Sequence, residues 1–416
     1  MSAASAPSSA ASPLSLIRYY PRAVVYQLVL LPVAMGVGGI VYAKLLLATQ
    51  YLQGAAGLGK MGLLFSLSCA IAAFLGGALA DRFSARWLNG LALLTCGGAM
   101  ACMGWLLPQL APTDVYWATL GMVCLEGAAT GIAMACNPVV LATVVGHRHR
   151  GAVDLINNLR LGLGMLMGMQ LAQYAPSLPF NMIASGTSVA IGGLLSIAVI
   201  PAMAAVAAPR GWGFDLKPVL QSLQQLPTLR NAVGTDLLLK LAIPTQMGAL
   251  YLADRQVHEQ AGVIFSAGLL GVLLANLWLT VVPPPVRLTA SLRRYFALYL
   301  TLAFVAPWLL IDNWLVGLPW LAGALLFFGS FVSTATESQV RAFTQQETPD
   351  SVRGRINGIL GAVRNGLSAV FGALHAAIAH VNDVQWLLGG LFLASVLVWL
   401  LTRGFSAFDR SPSPAA

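Results

Sequence analysis

A chain of 416 residues that is 58% hydrophobic and only 9% charged has too few charges to clothe a water-soluble surface, where about a quarter of residues are charged. Lipid is therefore the solvent for most of it, and a soluble enzyme or soluble binding module is excluded. The net charge of +9 raises nucleic acid as a partner, but the placement of the basic residues argues against it.

The first fifteen residues are small and polar and have no basic stretch leading into an apolar core. They read as a disordered tail rather than a signal peptide. Windows of about 20 apolar residues, long enough to span a bilayer, then recur twelve times, at 24–48, 57–80, 88–110, 114–140, 154–175, 180–206, 233–253, 260–282, 295–312, 314–341, 356–380 and 384–403. The expected fold is all-α and membrane-embedded. Between the sixth and seventh windows lies GWGFDLKPVLQSLQQLPTLRN, where Leu216, Val219, Leu220, Leu223 and Leu226 recur at helical spacing. This predicts a short amphipathic helix on the membrane surface. The expected organisation is a tail at 1–22, six helices in 23–206, a linker at 207–232, six more helices in 233–404, and a tail at 405–416.

Of the 23 Lys and Arg, seventeen fall in the two tails and the even-numbered connections, and only Lys60 and Arg255 in odd-numbered ones. That asymmetry follows the positive-inside rule and predicts both termini in the cytoplasm. Cys69, Cys96, Cys102, Cys124 and Cys136 lie within apolar runs without metal-ligand spacing and read as core thiols.

The halves echo one another. At an offset of 200, Tyr51-Leu52, Gly62 and Phe65-Ser66 match Tyr251-Leu252, Gly262 and Phe265-Ser266. NNLRLG at 157–162 matches GAVRNG at 361–366, each following an Arg-Gly (Arg150-Gly151 and Arg353-Gly354). Matches in order at near-constant spacing predict a duplicated transporter.

The connection between the second and third windows reads GALADRFSAR. Its Gly77, Asp81, Arg82 and Arg86 resemble the G-x-x-x-D-R-x-G-R-R signature of the major facilitator superfamily, with Ser84 and Ala85 in place of a glycine and a basic residue. The resemblance covers 20–405 and implies two six-helix bundles that alternate access to a central cavity. It also implies that Asp81 faces the start of the eleventh span, near Arg353, Arg355 and the helix amino terminus. There it would act as an inner-gate latch.

Ionisable groups inside the spans cost at least ~2.5–3.5 kcal/mol each on insertion scales, so each needs a reason. Glu126 lies roughly 18 Å into the fourth span, counting from Asp114 at 1.5 Å per residue, and no basic residue sits within four positions of it. It reads as a proton-coupling or substrate-binding carboxyl, or else as a permanently protonated one. Arg160 and Arg364, related by the repeat, must face water, an anion or a carboxylate, or snorkel. Together they suit an anionic or oxygen-rich substrate. Asp236 and Lys240 form an i,i+4 pair, either self-neutralising or part of the coupling site. Glu337 and Arg341, also i,i+4, read as an inner-gate pair, and Lys44 as a residue snorkelling to the outer face. Asn137, followed by Pro138, aligns with Glu337 and is expected to line the same cavity as Thr334, Thr336, Ser338 and Gln339.

The segment 336–372 resembles the tenth-to-eleventh helix region of proton-driven siderophore and macrolide exporters through Gln346, Pro349, Arg353, Gly354 and Arg355. The fifth span, however, lacks the Gly-Pro dipeptide of many antiporters, and the second copy of the signature lacks its acid. The resemblance implies a monomer in the bacterial inner membrane that takes protons and a small molecule and uses no cofactor or metal. Export of a siderophore is the first expectation, a drug-like compound the second, and import of a ferri-siderophore or other metabolite the rival. No phosphate loop, nucleophile elbow or zinc motif occurs. A membrane-embedded enzyme would need such catalytic groups at an interface, and a scaffold would not need charges inside its spans.

Overall fold

The computed structural model describes residues 20–52, 55–80, 82–145, 150–199, 220–221, 224–225, 258–281, 319–348 and 353–377. Among them there is no strand. The long helices are α1 (Pro21–Val29), α2 (Leu31–Tyr51), α3 (Ala55–Ala80), α4 (Ala85–Leu106), α5 (Pro112–Val144), α6 (Arg150–Gln173), α7 (Leu178–Val199), α8 (His258–Val281), α9 (Pro319–Glu347) and α10 (Arg353–Ala377). The expected spans at 233–253, 295–312 and 384–403, and nearly all of the amphipathic linker, lie outside the described residues.

Local chemistry sets the helix starts. Pro21 and Pro112 stand in the first turns of α1 and α5, where the missing N–H is no loss and the fixed φ is already helical. Asp114 in the first turn of α5 complements the helix dipole. The first span departs from the sequence expectation by breaking at Leu30 into α1 and α2. Pro32 is the cause, since it cannot donate to the carbonyl of Leu28 and its ring crowds that turn. Pro138, by contrast, sits inside a helix that continues through it.

Burial is inverted relative to a soluble protein. Leu28, Ile71, Leu91, Trp105, Trp117 and Leu171 are exposed, whereas Gln27, Asn89, Glu126, Asn157, Asn276 and Asn357 are buried. Apolar side chains face lipid and polar ones face one another, because an unpaired polar group in hydrocarbon costs several kcal/mol. Among the described residues, five helical segments, including Pro21–Tyr51 and Pro112–Leu141, are long and apolar enough to cross a membrane. Cys69, Cys96 and Cys136 are buried as expected, but Cys102 is exposed. It lies on the outward side of α4, so it is not a core thiol.

Among the described residues, helices α1–α7 pack among themselves and α8 packs on α9, while the main contacts between the two groups are α3 to α10, α5 to α10, α6 to α8 and α6 to α9. The contact between α3 and α10 is the most extensive in the described structure. Glycine makes it possible. A Cβ on Gly77 would stand 2.7 Å from the carbonyl oxygen of Gly354 and 3.0 Å from Cα of Gly358, and one on Gly358 would stand 2.7 Å from the oxygen of Ala73. Bare backbones meet there, as small residues permit in lipid.

Candidate functional site

An ion pair lies between α2 and α5. The Lys44 ammonium donates to Glu126 Oε1 at 2.8 Å, and their side chains are 19% and 8% exposed. The same ammonium stands 4.7 Å from the centroid of the Phe65 ring of α3, a cation–π distance. This corrects the snorkelling expectation for Lys44. An ammonium turns inward when a carboxylate and an aromatic face await it there. Glu126 Oε2 is buried without a hydrogen-bond partner among the described residues. Thr119, two helical turns away on the same face of α5, is fully buried, its hydroxyl also unpartnered among the described residues.

A second polar cluster surrounds α1. The Tyr26 hydroxyl donates to Asn137 Oδ1 at 3.0 Å and accepts from Asn89 Nδ2 at 3.4 Å, tying α1 to α5 and α4. Asn137 is thereby bonded to Tyr26, while the Ser338 group with which the sequence associated it is bonded elsewhere. Arg160 donates from one guanidinium nitrogen to the carbonyl of Leu30 and from another to Asn157 Oδ1 at 3.0 Å. The Leu30 carbonyl also accepts the Ala34 amide at 3.2 Å, so Arg160 is its second donor and ties α6 to the junction of α1 and α2. Arg160→Gln is expected to lower stability by about 1–3 kcal/mol, the cost of losing hydrogen bonds donated by a charged group. Thermal unfolding of the purified protein measures it, and an unchanged midpoint rules the bracing role out.

Hydrogen bonds also cross between the two helix groups. Asn158 Nδ2 of α6 donates to Ser338 Oγ of α9 at 3.3 Å, and that hydroxyl donates to Asn276 Oδ1 of α8 at 3.0 Å. Farther along α6, Gln170 Nε2 donates to the Ser266 hydroxyl of α8. Gln339 is buried next to Ser338 in sequence, and Thr336 donates back to the carbonyl of Val332 at 2.8 Å.

Arg364 does not stand with Arg160. It lines a narrow cavity together with Arg341, Thr344, Asn357, Gly361 and Met134. The cavity offers about 10 Å³ of water-sized space, about enough for one water molecule.

In the signature connection, Gly77 meets α10 as described above, the Arg82 amide closes a turn on Leu79, and the Arg86 guanidinium lies 5.5 Å from the Trp87 ring. Arg353 is 3% exposed and donates to the carbonyl of Thr348 at 2.7 Å, closing the turn before α10. Arg355 and Glu337 are half-buried. Asp81, Asp236 and Lys240 lie outside the described residues.

Sequence reasoning missed the pairing of Lys44, the cross-helix bonds of Asn158 and Asn276, and the part played by Tyr26. One signal was available: the first six spans hold a single acid and a single Lys well inside the bilayer, which invites a pairing between helices.

Residues 26–373 match the family description of the Major Facilitator Superfamily. No curated protein matches the chain. Among solved structures, the chain resembles the human organic anion transporter MFSD10 with a TM-score of 0.71 at 17% identity, covering 92% of this chain and 99% of that one. It resembles a bacterial homologue of the iron transporter ferroportin, in an outward-facing state, with a TM-score of 0.69 at 13% identity, over 93% and 99% of the two chains. The nucleoside transporter NupG follows with a TM-score of 0.61 at 13% identity, over 91% and 99%.

Proposed function

Because this chain belongs to the major facilitator superfamily, it is an integral membrane protein of transporter rather than enzyme type, and we propose that it exports a small molecule by proton-coupled alternating access, with Glu126 as the coupling carboxyl. The observation that carries the proposal is the pair of half-buried Lys44 and buried Glu126. One carboxylate oxygen is held by the ammonium, and the other is buried with no partner among the described residues. A proton on the free oxygen removes the charge that fixes Lys44 and loosens the tie between α2 and α5. Proton binding and helix packing are thus the same event, which is what coupling requires.

Around this pair the proposal places a twelve-helix, two-bundle protein in the inner membrane, monomeric, with both termini cytoplasmic. Asp81, Asp236, Lys240 and the Glu337–Arg341 pair belong to its gates and coupling path, and no cofactor or metal takes part. Solved structures of the same fold are named for iron, organic anions and nucleosides, so the cargo is argued from side chains. Half-buried Arg160, Arg364 and Asn137, with buried Gln339, suit an oxygen-rich solute, which favours a siderophore over a drug-like cation.

In inverted membrane vesicles, an imposed proton gradient is expected to drive accumulation of a catecholate chelator, and Glu126→Gln is expected to abolish it. Full gradient-driven accumulation by that variant refutes the coupling role. In cells lacking the protein, chelator retained inside with normal uptake of its iron complex supports export, and the reverse phenotype supports import.

A further inference from the structure

We infer that Gln27, beside the break in the first span, is the recognition residue of a subsite for the metal-free form of the solute. The group recognised is a neutral chelating edge in which one oxygen accepts and the neighbouring O–H donates, as in a catechol or a hydroxamic acid. This rests on the transporter reading and names the chemical form of the cargo. Gln27 is 4% exposed, and neither its Nε2 nor its Oε1 has a hydrogen-bond partner among the described residues. Buried polar groups are nearly always bonded, and an orphaned amide costs stability, so Gln27 is kept for something other than the fold.

Its surroundings say what. Gln27 lies one turn before Leu30 in α1, which packs on α6. Arg160 of α6 meets the carbonyl of Leu30, 130 residues away, and Gly164 meets Ala34 at the same spacing. That register sets Gln27 opposite Asn157, a turn from Arg160. The other polar groups here are occupied: Tyr26 by Asn137 and Asn89, Asn157 Oδ1 by Arg160, and two Arg160 nitrogens by Asn157 and Leu30. Left over are the Gln27 amide and Arg160 Nε, which is buried and unpartnered among the described residues as well. The helix is also interrupted at this level, at Leu30, and interrupted spans are found where they border a solute path.

The unused groups are N–H donors on Gln27 Nε2 and Arg160 Nε and an acceptor on Gln27 Oε1. A carboxylate only accepts and would leave Oε1 unpaired, whereas an ammonium only donates and would leave both nitrogens unpaired. A catechol or hydroxamic acid satisfies both sides, because its accepting oxygen takes the N–H groups and its O–H donates to Oε1. Iron binding strips those protons and occupies the oxygens, so an iron-loaded chelator has nothing to give the buried acceptor. A site built to bond an O–H discriminates strongly against an analogue without it. The subsite thus selects the metal-free chelator, the form that an exporter carries.

The test uses the full-length protein in neutral detergent with three probes: a metal-free catecholate chelator, its gallium complex and its fully O-methylated form. Saturable thermal stabilisation by the metal-free chelator is expected, with a half-saturating concentration at least tenfold higher for the other two. Gln27→Met is expected to raise the unfolding midpoint without probe, since it leaves no polar atom unpaired in a similar volume. The same variant is expected to raise the half-saturating concentration for the metal-free chelator at least tenfold, whereas Thr95→Val, on an exposed part of α4, leaves it unchanged. A lower midpoint for Gln27→Met, or its failure to fold, overturns the inference, because the amide then serves the fold. So does the absence of saturable stabilisation, equal binding of the three probes, or equal binding by wild type and Gln27→Met. If the chelator binds through Gln27 but a proton gradient drives no accumulation, the transport reading fails and the subsite stands. If accumulation occurs and Gln27→Met leaves its half-saturating concentration unchanged, the subsite fails and the transport reading stands.

Discussion

Lys44→Met is expected to destabilise the protein by about 3–5 kcal/mol, the cost of leaving the buried Glu126 carboxylate without its partner. Glu126→Gln alone removes the acceptor and strands the ammonium, with a loss of the same order. The double variant, neutral at both positions, is expected to recover most of that loss, because an apolar methionine and a neutral amide leave no orphaned charge. Thermal unfolding of the four proteins in one detergent gives the coupling energy directly. Single losses under about 1 kcal/mol that simply add would mean that the 2.8 Å contact is incidental. All three variants are expected to lose proton-driven accumulation, including the stable double variant. Loss of transport with stability regained separates a coupling role from a merely structural one.

The second large effect is expected at the crossing of α3 and α10. A Cβ on Gly358 would stand 2.7 Å from the carbonyl oxygen of Ala73 and 2.9 Å from Cα of Gly77, and backbone cannot rotate aside as a side chain can. Gly358→Val must therefore push the two helices apart. The measurement is the labelling rate of a single cysteine at Ala80, buried at the end of α3, in a background without the five native cysteines. Labelling by a polar maleimide is expected to rise at least tenfold, and transport to fall by a similar factor. Gly366→Ala, on the same helix but with nothing within 4 Å of the added carbon, is expected to leave both unchanged. Unaltered labelling in Gly358→Val would show that this contact does not keep the crossing closed.

Much of the helical framework was legible because each span must be apolar by itself, whatever its neighbours do. The windows at 57–80 and 180–206 reappear as Ala55–Ala80 and Leu178–Val199 for that reason. The break at Leu30 escaped hydropathy, since Pro32 lies within an unbroken apolar run and only backbone chemistry marks it. Gly77 was legible through its motif, and its contact with Gly354 and Gly358 supplies a physical reason for a glycine there. The site was harder to read because charges were weighed against their own helices. Lys44 and Glu126 are 82 residues apart, so neither looked paired. Arg160 found a backbone carbonyl, an acceptor present at every position and invisible to a search for acids. Arg341, read with Glu337 along one helix, turned out to share a cavity wall with Arg364, a neighbour that sequence spacing alone does not reveal.

The separation of Lys44 from Glu126 also has a meaning in time. The ribosome completes α2 well before it reaches the carboxylate 82 residues later, a delay of roughly 4–16 s at 5–20 residues per second. During that interval a hydrophobic segment carries a lone ammonium whose burial costs about 2.5–3.5 kcal/mol. The newborn segment must wait with Lys44 at the headgroup level or inside the insertion machinery until α5 arrives, and only then settle to its final depth. The pair is thus also a checkpoint of biogenesis, and chains that stall before Glu126 are expected to be the ones that quality-control proteases remove.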